Sequence, residues 1–301
     1  MINTSATNEN TEAMESAAVQ GRSLWDDARG RLFRNRAAVT SMGVIAFLIL
    51  CVIVLPWVWP HSHETIYRDL VWISPTFENL HIFGTDAQGR DLFARTLVGL
   101  RMSLFVAAAA TSVSLVIGVA WGATAGFIGG RVDQAMMRFV DIMYSLPFIF
   151  FVIILMVVFG RNIILIFLAI GAVEWLTMAR IVRGQTIALK GMEFVEAAEA
   201  AGVSRFAIIR RHIVPNVLGP VVVYVTLTIP VVILAESFLS FLGLGVQEPD
   251  TSLGRLIAAG AQDMEVAPWT LIVPGLTMML TLFCFNFIGD GLRDAIDPKD
   301  R

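Results

Sequence analysis

The most constraining feature of this sequence is a set of six long runs that are almost free of Asp, Glu, Lys and Arg. A helix needs about 20 consecutive, mostly apolar residues to cross the roughly 30 Å hydrocarbon core of a bilayer. Each run approaches or exceeds that length, and Glu174 is the one charged residue inside any of them. The sequence therefore predicts an all-α, polytopic membrane protein with six transmembrane helices, at 37–59, 102–130, 142–160, 162–179, 214–235 and 266–289.

The overall composition agrees with a membrane protein and argues against two other classes. Of the 301 residues, 56% are hydrophobic and 16% charged, whereas a soluble domain has about 45–50% and about 25%. A water-soluble enzyme is therefore not expected. The net charge of -3 provides no basic stripe for phosphates, so a nucleic-acid partner is not expected either. Both cysteines, Cys51 and Cys284, fall inside predicted spans and are interpreted as small apolar side chains.

The basic residues orient the six spans, because Lys and Arg resist translocation and accumulate in cytoplasmic segments. With the N-terminus inside, most of the 22 basic residues lie on the cytoplasmic side, so both termini are predicted to be cytoplasmic. Residues 1–20 lack large apolar groups and are expected to be disordered, whereas 21–36 favour an amphipathic helix on the inner surface. The sequence thus predicts a cytoplasmic tail and amphipathic segment at 1–36, a six-helix domain at 37–292 with outer segments at 60–101 and 243–267 and a cytoplasmic loop at 180–213, and a cytoplasmic C-terminus at 293–301.

The cytoplasmic loop at 180–213 differs from the other connections, since it contains helix formers throughout. Three glutamates spaced by three residues share one helical face, beside a patch of four alanines. Gly202 stands where a helix often ends in a left-handed residue, and Ser204 is placed to cap a second helix at 205–212. We therefore expect a helix-turn-helix on the inner membrane surface. The residues in question are Glu193, Glu196, Glu199, Ala197, Ala198, Ala200 and Ala201.

The same loop carries a recognisable motif. Residues 196–202 read Glu-Ala-Ala-Glu-Ala-Ala-Gly, and Ile213-Val214-Pro215 follows. This pattern resembles the EAA loop of bacterial ATP-binding-cassette (ABC) import permeases in residue type, spacing and predicted side. Further blocks resemble the dipeptide, oligopeptide and nickel permease group, and both ends of the chain are most similar to the C-type subunit of oligopeptide permeases. Those blocks lie at 83–104, 236–245 and 290–298, and the end segments at 21–25 and 285–289.

The resemblance implies a type I ABC importer permease fold, a bacterial inner-membrane location and a role as a non-catalytic subunit. It also implies a second homologous permease subunit, two cytoplasmic ABC ATPase subunits with ATP and Mg²⁺, and a periplasmic peptide-binding protein. The sequence itself is consistent with ATP hydrolysis on other subunits, since the chain has no Gly-x-x-x-x-Gly-Lys-Ser/Thr loop to hold nucleotide phosphates. No cofactor is expected in the chain itself. Leu253 stands where relatives often carry Trp, so no role of that Trp is carried over.

The alanine-rich helix of the EAA loop is suited to transmit motion, because small side chains let its backbone settle into a cleft of an ATPase. We expect a docking element here with three arginines at its rim. The alternative is a surface helix whose charges only keep it in water. The docking element comprises Glu196, Ala197, Ala198 and Gly202, and the rim comprises Arg205, Arg210 and Arg211.

Two carboxylates are candidates for the transport pathway or a gate, since an ionised side chain in a membrane usually faces a partner or a water-filled path. Glu174 falls near mid-depth of the fourth span, and pathway lining and an interhelical hydrogen bond are equally favoured. Glu236 directly follows the fifth span. The family motif favours an outer gate for it, and a pairing with Arg255 at the interface is the alternative.

Small residues and prolines in the spans predict packing details. Glycines spaced by four or three residues predict a seam through which the second span packs closely on a neighbour. Prolines inside the spans favour bends, because each lacks an N–H donor, and such bends are either part of a passage or, more commonly, static packing features. The glycines are Gly118, Gly122, Gly126, Gly129 and Gly130, and the prolines are Pro147, Pro220, Pro230 and Pro274.

Uptake of oligopeptides by an ATP-driven importer is the leading hypothesis for function, with a dipeptide or nickel permease of the same group as the alternative. An ion-coupled secondary carrier would be expected to show inverted repeats around an ion site, and no clear repeat is visible. An intramembrane enzyme would need a nucleophile and a base at one depth, which the sequence does not show. The sequence leaves the length preference for the peptide open.

Overall fold

The computed structural model of the chain describes residues 24–160 and 162–296, and over these ranges it is built of helices with no β-strand. The tail expected at 1–20, the first residues of the segment at 21–36 and the last residues of the C-terminus at 293–301 lie outside the described residues. In chain order the helices are α1 (Leu24–Arg34), α2 (Arg36–Val58), α3 (Leu92–Ile128), α4 (Gly130–Ser145), α5 (Phe148–Phe159), α6 (Ile163–Lys190), α7 (Glu193–Ala200), α8 (Arg205–Ile208), α9 (Val214–Phe241), α10 (Leu253–Asp263) and α11 (Trp269–Ile296).

Five helices in the described residues are long and apolar enough to cross a membrane, and a sixth span exists if one bent pair is counted. The five are α2, α3, α6, the continuous stretch Arg205–Phe241 and α11. Helices suit this setting because hydrocarbon offers no water to the backbone, so every N–H must find its carbonyl within the chain. The predicted all-α membrane fold is confirmed.

The third span is the bent pair, and here the structure differs from the prediction of one helix at 142–160. Helices α4 and α5 meet at an angle of 84°. The break lies at Leu146, whose backbone is extended (ψ 126°), and at Pro147. Proline disfavours helical geometry in the residue before it and supplies no N–H, which explains the break. The 12 residues of α5 reach only about 18 Å, so this helix alone is too short to span the bilayer.

The helix of the second span begins ten residues earlier than the charge-free run suggested, at Leu92 instead of 102. Asp91 caps it, because its Oδ1 accepts a hydrogen bond from the Ala94 N–H at 2.8 Å. Arg101 and Arg95 interrupt the uncharged run. Arg101 is exposed, whereas Arg95 is neutralised inside the structure, where its Nη1 lies 2.6 Å from Asp86 Oδ2. The boundary predicted at 101 therefore falls inside α3.

Close packing of α3 on α6 forms the centre of the fold, and the glycines predicted as a seam lie at that contact. A Cβ on Gly126 would stand 2.8 Å from the Arg183 carbonyl oxygen, and one on Gly122 would collide with the Ala179 carbonyl oxygen. Gly118 is packed in the same way against the side chain of Met178. The predicted seam is confirmed at these three positions, with α6 as the neighbour.

The remaining two glycines of that set have another role. Gly129 and Gly130 have positive φ angles of 71° and 57° and form the turn between α3 and α4. Past this turn, α4 folds back along α6 and is tied to it by charge. Arg183 binds Asp133 with both Nε and Nη2, at 2.5 and 2.6 Å. This two-point contact, which favours Arg over Lys, fixes the predicted cytoplasmic ends of three helices together.

The other helices surround this centre. Helix α9 packs against α3 and α6, α11 packs against α2 and α9, and α10 lies between α3, α9 and α11. The amphipathic helix α1 forms as expected and packs on the end of α11, where a Cβ on Gly291 would stand 3.4 Å from Leu32 of α1. Cys51 is partly buried and Cys284 buried, and both are free thiols.

The seam predicts that Gly122→Ala weakens the protein, because the added methyl group has no space between two backbones. Overpacking of this kind costs about 1–3 kcal/mol. Gly184→Ala in α6 is the matched control, since a Cβ there meets nothing within 4 Å, and it is expected to be neutral or to stabilise by about 0.5–1 kcal/mol. Thermal unfolding of the two variants in detergent measures the difference. Equal midpoints would show that the seam is not tightly packed.

Candidate functional site

The cytoplasmic loop forms its first helix as expected, and α7 has two distinct faces. Val195 and Ala198 are 1% and 9% exposed and pack on the chain itself, in a cluster with Ile208 and Ile213. Ala197 lies on the outer face. The prediction that all four alanines form one exposed patch is therefore wrong, because Ala198 is buried. Residues three apart lie on the same face of a helix, whereas the side chains of neighbouring residues point about 100° apart. Ala198 therefore packs against the rest of the chain, and Ala197 faces solvent.

The exposed face of α7 carries the acidic residues. Glu193, Glu196 and Glu199 are all exposed, and the first two lie in the first turn, where a carboxylate interacts favourably with the helix dipole. Neither these glutamates nor Arg205, Arg210 and Arg211 form an ion pair among the described residues. Their charges are thus available to another molecule.

Gly202 ends α7 in the way the sequence predicted. Its φ is +76°, the Gly202 N–H donates to the Glu199 carbonyl at 3.0 Å, and the Val203 N–H donates to the Ala198 carbonyl at 3.1 Å. This pair of bonds is the Schellman motif, which requires a left-handed residue at the turn. A Cβ on Gly202 would meet nothing within 4 Å, so the glycine borders open space.

The second helix starts as predicted but does not end at residue 212. The Ser204 Oγ accepts from the Ala207 N–H at 3.4 Å, which caps α8. The chain then makes a π-turn at Ile209–Ile213 and continues directly into α9. Pro215 explains the π-turn, because it lacks an N–H and its ring would clash with the carbonyl four residues earlier. The last part of the cytoplasmic loop and the fifth span are therefore one helix, Arg205–Phe241.

Large apolar side chains that sequence reasoning missed stand beside the charged ones. Phe206 is 73% exposed and Phe194 is 41% exposed. The sequence contained a clue to this surface, since both residues are aromatic and lie in a charged segment predicted to be cytoplasmic. Exposed aromatic groups beside small and charged residues are typical of a protein–protein contact and unnecessary for a helix that is only solvated. The arrangement can bind a protein partner.

Glu174 lies on α6 and is half-buried. It interacts electrostatically with Tyr224 of α9. Among residues 24–160 and 162–296 its carboxylate forms neither an ion pair nor an interhelical hydrogen bond. No bond to another described helix of this chain therefore supports the hydrogen-bonded alternative, and both that alternative and pathway lining stay predictions.

Glu236 has surroundings that the sequence did not suggest. Its side chain is fully buried at the outer end of α9. Ser240 and Ser252 each donate to Glu236 Oε1 at 2.7 Å, and Ser103 donates to Oε2 at 3.3 Å. The predicted pairing with Arg255 is wrong, because the first turn of α10 directs Arg255 away from this carboxylate.

Arg255 instead belongs to an ionic network on the outer side. Its Nη2 lies 3.4 Å from Glu248 Oε1, and Arg90 contacts the same oxygen at 3.4 Å. Arg90 also binds Asp86 at 2.9 Å. These residues line a cavity of about 380 Å³ between the outer segment and α10. Oppositely charged groups here satisfy one another and join the two outer segments into one surface.

No metal site is present in the part of the chain that the structure describes, where no three His, Cys, Asp or Glu side chains converge. The described residues provide a cytoplasmic surface with unpaired charges and exposed aromatic rings, which one helix connects to a buried carboxylate at its other end.

Comparison with known proteins identifies relatives over nearly the whole chain. Residues 118–301 match the family model for binding-protein-dependent transport system inner membrane components, and residues 23–75 match the N-terminal transmembrane domain of oligopeptide transport permease C. The oligopeptide transport system permease protein OppC of Haemophilus influenzae is 56% identical over 96% of this chain and 93% of its own length. The OppC protein of Escherichia coli K12 is 53% identical over 97% and 98%.

A solved structure shares the fold. It is an inward-facing conformation of the MetNI methionine ABC transporter, with a TM-score of 0.54 and 18% identity, covering 68% of this chain and 96% of the matched chain. At this identity the likeness shows the fold alone, and it agrees with the predicted type I importer architecture.

The two faces of α7 predict different reactivity for neighbouring cysteines. In a background with Cys51 and Cys284 replaced by alanine and with no ATPase subunits expressed, we expect Ala197→Cys to react with a membrane-impermeant maleimide in inside-out vesicles and not in intact cells. Ala198→Cys should react at least tenfold more slowly, because its side chain is buried. Equal rates would contradict the orientation of α7, and labelling from outside would contradict the topology.

Proposed function

Because this chain belongs to the family of binding-protein-dependent transport system inner membrane components, we propose that it moves oligopeptides inward across the bacterial inner membrane. It is a non-catalytic permease subunit of an ABC importer, and other subunits hydrolyse the ATP. The observation that carries the choice of oligopeptides is the similarity to oligopeptide permease subunits along nearly the whole chain. The substrate class of those relatives is the basis for this proposal.

Members of this family work together with a second permease and with ATPases. We infer that the complete importer contains one homologous permease, two cytoplasmic ATPase subunits that bind ATP and Mg²⁺, and a periplasmic peptide-binding protein. In this arrangement residues 37–292 form the membrane domain, and 1–36 and 293–301 lie in the cytoplasm. The absence of a phosphate-binding Gly-Lys loop from the sequence supports placing the nucleotide on other chains.

We assign the ATPase contact to the exposed side of the cytoplasmic loop. Glu196, Ala197 and Gly202 form its centre, and Ala198 holds α7 in place from behind. Arg205, Arg210 and Arg211 lie at the rim, together with exposed Phe206. Unpaired charges, open space beside Gly202 and an aromatic anchor support this assignment, since such anchors supply much of the binding energy at protein interfaces.

The pathway role of Glu174 is a further part of the proposal. Its half-buried carboxylate lies about 17 Å along α6 from Ile163, close to mid-depth. A charged group at that depth needs a polar neighbour, and none of residues 24–160 and 162–296 forms an ion pair with it. We therefore place Glu174 on the face that meets the peptide path or the second permease. Glu236 is assigned to the outer side, where its buried carboxylate holds neighbouring serines through hydrogen bonds.

Gly202 tests the ATPase contact. Gly202→Trp should abolish peptide uptake while the six spans remain inserted, because bulk is added where the partner is expected to lie. Gly202→Ala separates the backbone effect, which is about 1–2 kcal/mol for a left-handed non-glycine residue, from the effect of bulk. Gly191→Trp is the matched control in the same loop, since Gly191 has φ -85° and open surroundings. Normal uptake by Gly202→Trp would refute the assigned contact.

Uptake in cells tests the substrate class. A strain that lacks this chain should fail to grow on tri- to penta-alanine as the source of alanine, and the chain supplied from a plasmid should restore growth. Reconstituted uptake should require the ATPase subunits and ATP. Restored growth on dialanine only, or restored uptake of nickel only, would favour the dipeptide or the nickel permease of the group. Uptake by this chain alone under an ion gradient would contradict the importer.

A further inference from the structure

We propose that Glu236 is a positioning residue that fixes α10 to the outer end of the helix Arg205–Phe241, so that both move as one body. A force applied to α10 from outside is then delivered to the cytoplasmic loop through that helix. The inference rests on the proposed function, because it assumes that a binding protein docks outside and an ATPase inside.

Two serines connect the Glu236 carboxylate to the start of α10. Ser252 donates to Glu236 Oε1 at 2.7 Å and accepts from the Arg255 N–H at 3.1 Å. Ser103 of α3 donates to Oε2 at 3.3 Å and accepts from the Leu253 N–H at 3.1 Å. Each hydroxyl thus bridges the carboxylate and an N–H group at the N-terminus of α10, which is the end of a helix that favours negative charge. The carboxylate organises the whole first turn of α10.

Steric contacts leave this joint no room to slide. A Cβ on Gly254 would collide with the backbone of Ser237 in α9. A Cβ on Gly99 of α3 would stand 3.1 Å from the Ser252 carbonyl carbon. Leu253 is fully buried and packs in a cluster with Leu97 and Leu100. The first turn of α10 is therefore wedged between α3 and α9, with Glu236 beneath it.

The helix that carries Glu236 also reaches the cytoplasmic loop. The stretch Arg205–Phe241 has 37 residues, which corresponds to about 55 Å. Its first residues follow Gly202, so the docking element and the Glu236 joint lie at opposite ends of one helix. Directly after α10, at the end away from the joint, Met264 and Val266 are exposed. An outer partner that presses on α10 thus acts on this helix directly.

The test is the ATPase activity of the complete complex in nanodiscs, measured without and with binding protein loaded with trialanine. Glu236→Ala should keep the basal rate but reduce the stimulation by loaded binding protein at least fivefold. Glu236→Gln should restore most of the stimulation, because one amide oxygen still accepts from Ser240 and Ser252. Thr228→Ala is the matched control, since it removes a buried hydroxyl of α9 that bonds to Tyr224 of the same helix.

Stimulation of the wild-type complex by the loaded binding protein tests the proposed function by itself. If the wild-type complex is stimulated, an unexpected result in the variants contradicts only the inference about Glu236. A normal stimulation ratio in Glu236→Ala would overturn it, and so would a basal rate that falls in parallel at an unchanged ratio. If Glu236→Ala does not assemble, Ser252→Ala decides in the same assay. A reduced ratio in that variant supports the joint, and a wild-type ratio overturns it.

Discussion

Backbone-to-backbone contact between α3 and α6 is the interaction on which the other parts depend. Hydrocarbon provides little hydrophobic drive for helices to associate, so close approach at small residues has to supply packing energy. Gly118, Gly122 and Gly126 permit that approach. The same contact brings Arg183 to Asp133 and holds the end of α6 from which the cytoplasmic loop continues. The position of α7 relative to the spans is therefore set by the seam.

Much of the fold could be predicted from the sequence, because the thickness of a bilayer is a strong constraint on apolar runs. The seam, the end of α7 at Gly202 and the cap at Ser204 were also readable, since each follows from a local residue preference. The predictions that were wrong concerned features that depend on contacts between residues far apart in the sequence. The start of α3 was missed because Arg101 and Arg95 interrupt the run, and nothing local shows that the chain stays helical past Arg101 or that Asp86 neutralises Arg95.

The same reason explains the errors at the candidate sites. A pairing of Glu236 with Arg255 was reasonable from charge alone, but Ser103, 133 residues away along the chain, occupies one side of the carboxylate. The continuity of α8 with α9 could have been read from Pro215, since a π-turn is one way in which a helix tolerates a missing N–H. The inward direction of Ala198 required knowledge of the helix phase.

The central claim is that the exposed side of the cytoplasmic loop binds the ATPase, and photo-crosslinking from Phe206 tests it most directly. A photoreactive phenylalanine analogue at position 206 replaces a side chain that is 73% exposed. The same analogue at Phe105, 56% exposed within the α3 span, is the control. Illumination of the assembled complex should yield an adduct of this chain with an ATPase subunit from position 206 only. An intact complex that gives no such adduct from position 206, or gives it equally from position 105, would contradict the claim.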